Sequence, residues 1–467
     1  MIDLPTPGPL FNPLVDTVRL PAGQVLTALL AGPFGLIAFL PLIPLVLLIA
    51  RGRRPRGADA TDRSPPRGVD ATIQNPKSKI QNGSAWRRAA LLLGGLAWLL
   101  PTLQPKTTAV LLGGMAAATA WIVALRALRR CGRLGQRGMI ALVCLGLHIL
   151  VFPLWWQAQQ PWYPSPMAVL HNVGFAYLLL RLIAWGVQLA RNPDLPLRLA
   201  DTICWLLYPP CMRLGPLLLR EEFFRRFEAW DARRSPALAA GLQRFGLFVL
   251  GVLGIALGGH ALGQITQLVP SAPEGTADFF ATPERFSTAQ LMAAFYLVPV
   301  QVYLLLWTYN ELACALALWI GIPVEGNFNW LPAATSVRDF WRRWNITLGA
   351  WLRDYIYIPL DGNRRHVALN YAAVFGYCGL WHGASWSFML WAATQALALT
   401  VQRGWDRLWS RQGRERRGGM LWTPVCWLLT MHYQAATIVV FCDFTHLGLP
   451  LLRELLWKRL LAGVLGA

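Results

Sequence analysis

The chain is 467 residues long, 55% apolar and only 14% charged. With glycine counted and tyrosine left out the apolar share is about 62%, against about 45–50% for soluble domains, so soluble, secreted and disordered classes are excluded. The 43 basic and 23 acidic residues leave a net +20, but the basic ones come in short clusters between apolar runs rather than on an aromatic-laced face, which argues against nucleic acid.

A membrane-crossing helix needs about 20 mainly apolar residues. The first candidate covers residues 23–50, preceded by Asp3, Asp16 and Arg19 and followed at once by Arg51, Arg53, Arg54 and Arg56. Lacking a basic leader or a small-residue cleavage pattern, it reads as a retained N-terminal span within 1–50 rather than a signal peptide. Residues 51–88 are rich in Arg, Pro, Ser and Asn and carry the near-repeat Gln74-Asn75-Pro76-Lys77 and Gln81-Asn82-Gly83. Such a stretch cannot bury a core, so a disordered basic cytoplasmic loop is expected there. A membrane domain then fills 89–467.

Further spans are predicted near 89–104, 107–126, 138–157, 166–190, 197–212, 242–267, 288–321, 367–380, 384–401 and 421–446. Basic loops mark the cytoplasmic side, and here they are 51–88, 126–137, 191–198, 213–244, 338–365 and 403–417. Loops 101–106, 158–166 and 268–287 are weakly charged or acidic, the last with Glu274, Asp278 and Glu284. The alternation closes with the N-terminus outside. Segment 197–212 lies between two basic loops and must therefore be re-entrant or interfacial, which its Tyr208-Pro209-Pro210 break suits. Trp155, Trp156, Trp162 and Tyr163 suit an outer aromatic belt. The eight cysteines contain no C-x-x-C pair, so buried free thiols are expected rather than a metal or disulfide framework.

From Gly326 to Trp391 the sequence changes character. It runs Asn327-Phe328-Asn329-Trp330, then Ser336-Val337-Arg338-Asp339-Phe340-Trp341-Arg342-Arg343-Trp344-Asn345. Next come Trp351-Leu352-Arg353-Asp354-Tyr355-Ile356-Tyr357-Ile358-Pro359-Leu360 and, later, Gly379-Leu380-Trp381-His382-Gly383-Ala384-Ser385-Trp386. Ser336 with Asp339 three residues on predicts a helix starting near Val337, which Pro359 should end. On a single such helix Val337, Trp341, Trp344, Leu348, Trp351, Leu352 and Tyr355 share one broad face, and Arg338, Arg342, Asn345 and Gly349 another. That helix belongs at the cytoplasmic interface. Two readings stand for Arg342 and Arg343: ordinary positive-inside anchoring, or contact with an anionic phosphate donor.

His382 is the most informative residue. It lies between apolar segments 367–380 and 384–401, whose outer flanks are both basic, so the Trp381-His382-Gly383 turn falls within or across the membrane. An ionisable group at that depth is a functional hypothesis by default, while a neutral imidazole is also the cheapest ionisable side chain to bury, so a satisfied core histidine is the alternative. His148 and His260 sit in apolar spans, His171 starts one, and His366 and His446 look interfacial; His432 is the serious rival. The chain has no G-x-S-x-G elbow, Walker loop, H-E-x-x-H or Rossmann glycine set. Ser385 would need a base and an oxyanion hole that nothing specifies.

The pattern Asn327-Phe328-Asn329, Asp339-Phe340-Trp341-Arg342-Arg343-Trp344, Trp351 to Leu360 with Gly362-Asn363, and Gly379-Leu380-Trp381-His382-Gly383 resembles the membrane-bound O-acyltransferase superfamily. The likeness is greatest to its bacterial branch, which includes alginate O-acetylase and the D-alanine transfer protein of teichoic acid modification. Tyr208-Pro209 to Gly215-Pro216 with Arg220 resembles an upstream segment of that branch, and residues 1–190 share only hydropathy. Two places differ from the branch: Asn345 stands where histidine is usual, and Trp307-Thr308-Tyr309-Asn310-Glu311 stands where Asp-Phe-Ser-Gly-Tyr is usual.

The resemblance implies an all-α transmembrane bundle of about 10–11 segments in a ring around a central cavity, with re-entrant and interfacial helices and a catalytic core over 326–400. It further implies a multi-pass enzyme of the cytoplasmic membrane. An acyl group, acetyl or another short acyl other than aminoacyl, would pass from a cytosolic thioester on coenzyme A or acyl carrier protein to a hydroxyl of an exported polysaccharide or envelope glycan. A membrane lipid alcohol is the rival acceptor, and a non-catalytic lipid or glycan carrier the rival class. His382 would be the general base, and Asn345 would donate a hydrogen bond to the oxyanion or hold a reactant. Arg342, Arg343 and Arg353 would flank the donor entrance, and Trp344, Trp381 and Trp386 would shape the walls. No metal or bound cofactor is expected; membrane lipids and a periplasmic partner acyltransferase are the expected partners.

Overall fold

The computed structural model describes residues 85–102, 105–158, 167–197, 199–212, 215–232, 237–267, 282–382, 386–411, 422–442 and 449–455. The span expected at 23–50, most of the polar loop after it, and the outer belt residues Trp162 and Tyr163 lie outside them, as do Gly383, Ser385 and His446. Residues 85–88, assigned above to the loop, instead form the first turn of a helix.

Among the described residues the fold is all-α, without a strand. In chain order the helices are α1 (Ala85–Thr102), α2 (Pro105–Arg130), α3 (Gln136–Ala158), α4 (Met167–Arg191), α5 (Leu199–Leu206), α6 (Arg220–Ala232) and α7 (Leu238–Gln267). After them come α8 (Thr288–Ile320), α9 (Val337–Arg343), α10 (Ile346–Leu352), α11 (Val367–His382), α12 (Trp386–Arg411), α13 (Trp422–Cys442) and α14 (Leu449–Leu452). Four stretches, Leu111–Arg130, Leu238–Ile265, Thr288–Ile320 and Trp422–Cys442, are long and apolar enough to cross a membrane. The 16 residues of α11 rise only about 24 Å, and α12 carries Arg403, Asp406, Arg407 and Arg411 towards its end.

The longest helix shows how local chemistry sets the ends. Ser287 accepts from the Gln290 N–H at 3.3 Å while the Gln290 side chain accepts from the Ser287 N–H at 2.8 Å, so two otherwise unpaired donors are satisfied reciprocally. At the far end Gly321, at φ 93°, closes α8 in the left-handed conformation that glycine adopts without steric cost. Along its length α8 packs antiparallel to α7 through small residues. A Cβ at Gly251 would lie 2.0 Å from Thr308 Oγ1, and one at Gly258 only 1.4 Å from Gln301 Nε2, so bare backbone is what lets the helices close.

Segment 197–212 forms the short α5 and a 3-10 turn at Pro209–Cys211. Eight residues rise only about 12 Å, too little to cross. Trp205, Tyr208 and Cys211 are buried in the main core, while Leu199 and Ile203 are exposed. The fully buried Arg181 of α4 donates to the carbonyls of Trp205, Leu206 and Cys211 and lies 4.6 Å from the Trp205 ring centre. A cation at the end of α5 satisfies carbonyls that the helix leaves unpaired. The main core joins α3, α4 and α5 to α10, α11 and α12; a second cluster packs α13 on α7 and α8.

The single helix expected from Val337 to Pro359 is interrupted. Ser336 caps α9 as predicted, accepting from the Asp339 N–H at 3.1 Å, but the helix stops at Trp344. Asn345 takes φ 44° and ψ 54°, α10 starts at Ile346, and a π-helical turn over Arg353–Tyr357 leads to Pro359. The break separates side chains that one straight helix would have aligned. Trp341 packs on Phe375 and Trp391 of the main core, whereas Trp344 packs on Tyr303, Phe328 and Phe340.

Candidate active site

His382 ends α11, about 22 Å along the axis from Val367. The backbone of α11 comes close to α12 there, since a Cβ at Gly379 would sit 2.9 Å from the Phe388 carbonyl oxygen. The half-buried imidazole is enclosed by aromatic rings from three helices. Its centre lies 4.6 Å from Trp381, 5.7 Å from Phe388, 5.7 Å from Trp391 and 5.0 Å from Phe441. The Trp391 and Phe441 contacts are edge-on, at 89° and 88°, the geometry that ring quadrupoles favour. No hydrogen bond ties either ring nitrogen to another described residue; among the described residues aromatic rings hold the side chain.

Asn345 is linked to this cage through Tyr177 of α4. Asparagine tolerates its left-handed backbone better than most residues, and the break aims the amide at α4 rather than along the arginine-bearing face expected above. There Asn345 Nδ2 lies 2.8 Å from the Tyr177 hydroxyl, and Tyr177 Oη lies 3.2 Å from Asn345 Oδ1. The Tyr177 ring stands edge-on to Trp381 at 5.4 Å. The two polar residues singled out in the sequence are thus joined through a phenol and an indole.

A polar strap holds the break in place. The Asn327 carbonyl accepts from the Ile346 N–H at 2.9 Å, and Asn327 Oδ1 accepts from the Thr347 N–H at 3.1 Å and its hydroxyl at 2.5 Å. Asn329 N–H donates to the Arg343 carbonyl at 3.0 Å, while the Arg343 guanidinium returns to the carbonyl of Asn329 at 3.1 Å and to Asp339 Oδ2 at 3.0 Å. Behind the strap, Asn310 Oδ1 of α8 accepts from the Asn327 N–H at 2.9 Å. Its neighbour Glu311, fully buried, is held by both oxygens on Arg244 of α7, at 2.7 and 3.0 Å. Buried charge in an apolar helix is tolerated when paired in this way.

The remaining predicted residues stand apart from the imidazole. Trp344 stacks on Phe340 at 5.6 Å. Arg342 is exposed. Arg353, also exposed, is bound to Asp354 at 2.6 and 3.0 Å, and that bond raises its pKa above the ordinary arginine value. Trp386 is 80% exposed at the start of α12. Of the walls proposed, only Trp381 touches His382. The rival histidine, His432, pairs with the Tyr296 hydroxyl on an exposed face of α13, nine residues before Phe441 and so about 13 Å from it along the helix. His148 is engaged by the Cys144 carbonyl at 2.6 Å and by Tyr377 at 3.2 Å. Among the described residues no group of His, Cys, Asp or Glu could hold a metal ion.

Sequence reasoning missed Tyr177, Arg244 and Glu311. An acidic residue inside a 33-residue apolar helix was a signal for Glu311; nothing marked Tyr177 among the aromatics of its span.

The membrane-bound O-acyltransferase family profile matches residues 139–442. A peptidoglycan O-acetyltransferase of Helicobacter pylori is 41% identical over 109 residues, 23% of this chain and 21% of that protein. A probable alginate O-acetylase of Azotobacter vinelandii is 41% identical over 108 residues, 22% of this chain and 21% of the relative. The chain thus spans about a fifth of the length of these two relatives. A teichoic acid D-alanyltransferase of Streptococcus thermophilus aligns more widely, at 22% identity over 318 residues, 64% of this chain and 74% of that one. With 139–442 covering well over half the sequence, and with every motif from Asn327 to His382 inside that range, the chain belongs to the membrane-bound O-acyltransferase family.

Proposed function

We propose that this protein is a multi-pass enzyme of the cytoplasmic membrane that transfers a short acyl group, acetyl foremost, from a cytosolic thioester to a hydroxyl of an exported polysaccharide or envelope glycan. The observation that carries the proposal is an imidazole caged by aromatic rings, with no hydrogen-bond partner on its nitrogens among the described residues, joined through Trp381 and Tyr177 to the Asn345 amide. The relatives' names, which speak of acetylating peptidoglycan or alginate and alanylating teichoic acid, support a glycan acceptor.

In this mechanism His382 takes the proton of the acceptor hydroxyl as its oxygen attacks the thioester carbonyl carbon. General-base help of this kind contributes about 10²–10⁴-fold. The carbonyl oxygen gains negative charge in the tetrahedral intermediate and receives the Asn345 N–H; one such donor is worth about 2.7–4 kcal/mol in other enzymes. Collapse breaks the carbon–sulfur bond, the imidazolium returns its proton to the departing thiolate, and ester and thiol leave. Arg342 and Arg353 flank the donor's cytoplasmic approach, Arg343 fixes the strap, and Trp381 forms the wall between the two polar groups.

A His382→Ala variant that inserts and folds normally tests this. Cells carrying it should put alkali-labile acyl groups on their envelope glycan at least a hundredfold more slowly than wild type. A normal rate removes the proposed base. Loss of label from extracted lipids with unchanged glycan would move the acceptor to a lipid alcohol.

A further inference from the structure

We propose that Tyr177 is the positioning residue of Asn345, its phenol holding the amide in one orientation with an N–H turned towards the acyl carbonyl. This rests on the reading above that Asn345 serves the reaction.

An asparagine side chain offers two N–H donors and one carbonyl acceptor, and its terminal torsion is broad and twofold. Left alone, the Asn345 amide would sample orientations that present either its oxygen or its nitrogen to a reactant, and only one of these can stabilise an oxyanion. Tyr177 Oη sits in the fork of the amide, 2.8 Å from Nδ2 and 3.2 Å from Oδ1. The shorter contact has one N–H donating to the phenol oxygen while the phenol's own proton leans back to Oδ1. That arrangement fixes the amide plane and leaves the second N–H uncommitted to Tyr177.

The phenol's place does not depend on Asn345. One turn on, the Leu180 carbonyl accepts from Trp351 Nε1 at 3.0 Å, and the buried Arg181 closes the end of α5. The ring itself leans edge-on against Trp381 at 5.4 Å. None of these contacts uses the hydroxyl, so phenylalanine at 177 would keep helix and ring in place and remove only the link to the amide. Tyr177 is buried to 4% exposure, where a hydroxyl is costly unless it is bonded, and Asn345 is the partner that makes it tolerable.

The test is a double-mutant cycle in a deletion strain carrying the full chain, with variants at matched membrane levels. The readouts are the rate at which alkali-labile acyl groups appear on envelope glycan and the melting temperature of the detergent-solubilised protein. Tyr177→Phe should slow the rate about tenfold with an unchanged melting temperature. Asn345→Ala should slow it about 10²–10³-fold. The double variant should be no slower than Asn345→Ala alone, because a residue acting through another has nothing left to orient. A merely structural tyrosine would instead show the same further loss in both backgrounds, together with a lowered melting temperature, and would overturn the proposal. So would a normal rate for Tyr177→Phe beside an impaired Asn345→Ala. A normal rate for Asn345→Ala would instead remove the role of Asn345 itself, and this inference with it.

Discussion

The two polar groups of the candidate site are held by opposite means. Asn345 sits on a helix break secured by hydrogen bonds at every step, from Arg244 and Glu311 through Asn310 to Asn327 and Thr347. His382 is held by Trp381, Phe388, Trp391 and Phe441 and by no hydrogen bond among the described residues. The difference follows from what each must do. A donor to an oxyanion works only when aimed, and hydrogen bonds are directional. A base needs its nitrogens free, and aromatic packing restrains a ring without occupying them.

The largest effect should come from the ring-held side. His382→Gln keeps a polar side chain in the cage but cannot cycle a proton, so it should lose about as much as His382→Ala, within the 10²–10⁴ range of general-base catalysis, with little change in melting temperature. A His382→Gln enzyme within a few-fold of wild type would mean that position 382 serves as a hydrogen-bonding wall instead.

Next comes the far end of the strap. Arg244→Ala leaves Glu311 buried without its cation. Removing one partner of a buried pair typically costs about 3–5 kcal/mol, and the 40% exposure of the Arg244 side chain places this case at the lower end. The melting temperature should fall clearly, and the rate with it as the Asn310 and Asn327 anchors loosen. Unchanged melting would show that the strap does not need the charge. Asn327→Ala should do less to stability, about 1–3 kcal/mol for the two Thr347 groups left without their acceptor. Because Thr347 lies in the first turn of α10, two residues beyond Asn345, a tenfold loss of rate is expected in the same assay. A loss in melting without a loss in rate would separate the strap from the chemistry.

How much of this could be read beforehand differs between the two sides in the same way. The α8 span was legible from its apolar run, and the cap at Ser336 and the turn at Tyr208-Pro209-Pro210 were legible because capping and proline chemistry are local. His382 was legible because an ionisable residue between two short apolar segments is anomalous wherever its neighbours turn out to be. The break at Trp344-Asn345 was not. No glycine or proline marks it, and the residues on either side suit one continuous amphipathic helix. It forms because Asn327, far behind it in sequence, bonds the backbone of Ile346 and Thr347. The pairing of Tyr177 with Asn345 spans 168 residues and leaves no periodic trace. Glu311 was readable as an acidic residue inside an apolar helix and Asn310 beside it as a departure from a related pattern, but their role as the strap's anchor appears only in three dimensions. The glycines at 251, 254 and 258 were a readable sign of close helix packing that hydropathy alone passed over.

The smallest effect should fall outside both holding systems, on the arginines expected at the donor entrance. Arg342 is exposed, and its charge is free to act on a phosphate-bearing donor through solvent. Such interactions are worth about 0–1 kcal/mol and fade beyond a screening length of about 8–10 Å at ordinary salt. Arg342→Ala should therefore raise the KM for acetyl coenzyme A, given to membrane vesicles, by no more than about fivefold. The maximal rate should not move, and the difference should vanish as salt is raised. Arg353 is equally exposed but already paired with Asp354, so the same substitution there should change nothing measurable. A salt-independent loss at Arg342, or a loss at Arg353 larger than at Arg342, would mean that a donor phosphate is gripped directly at the surface. The division between an aimed amide and a ring-held imidazole would then have to be joined by a third, fixed anchor on the cytoplasmic side.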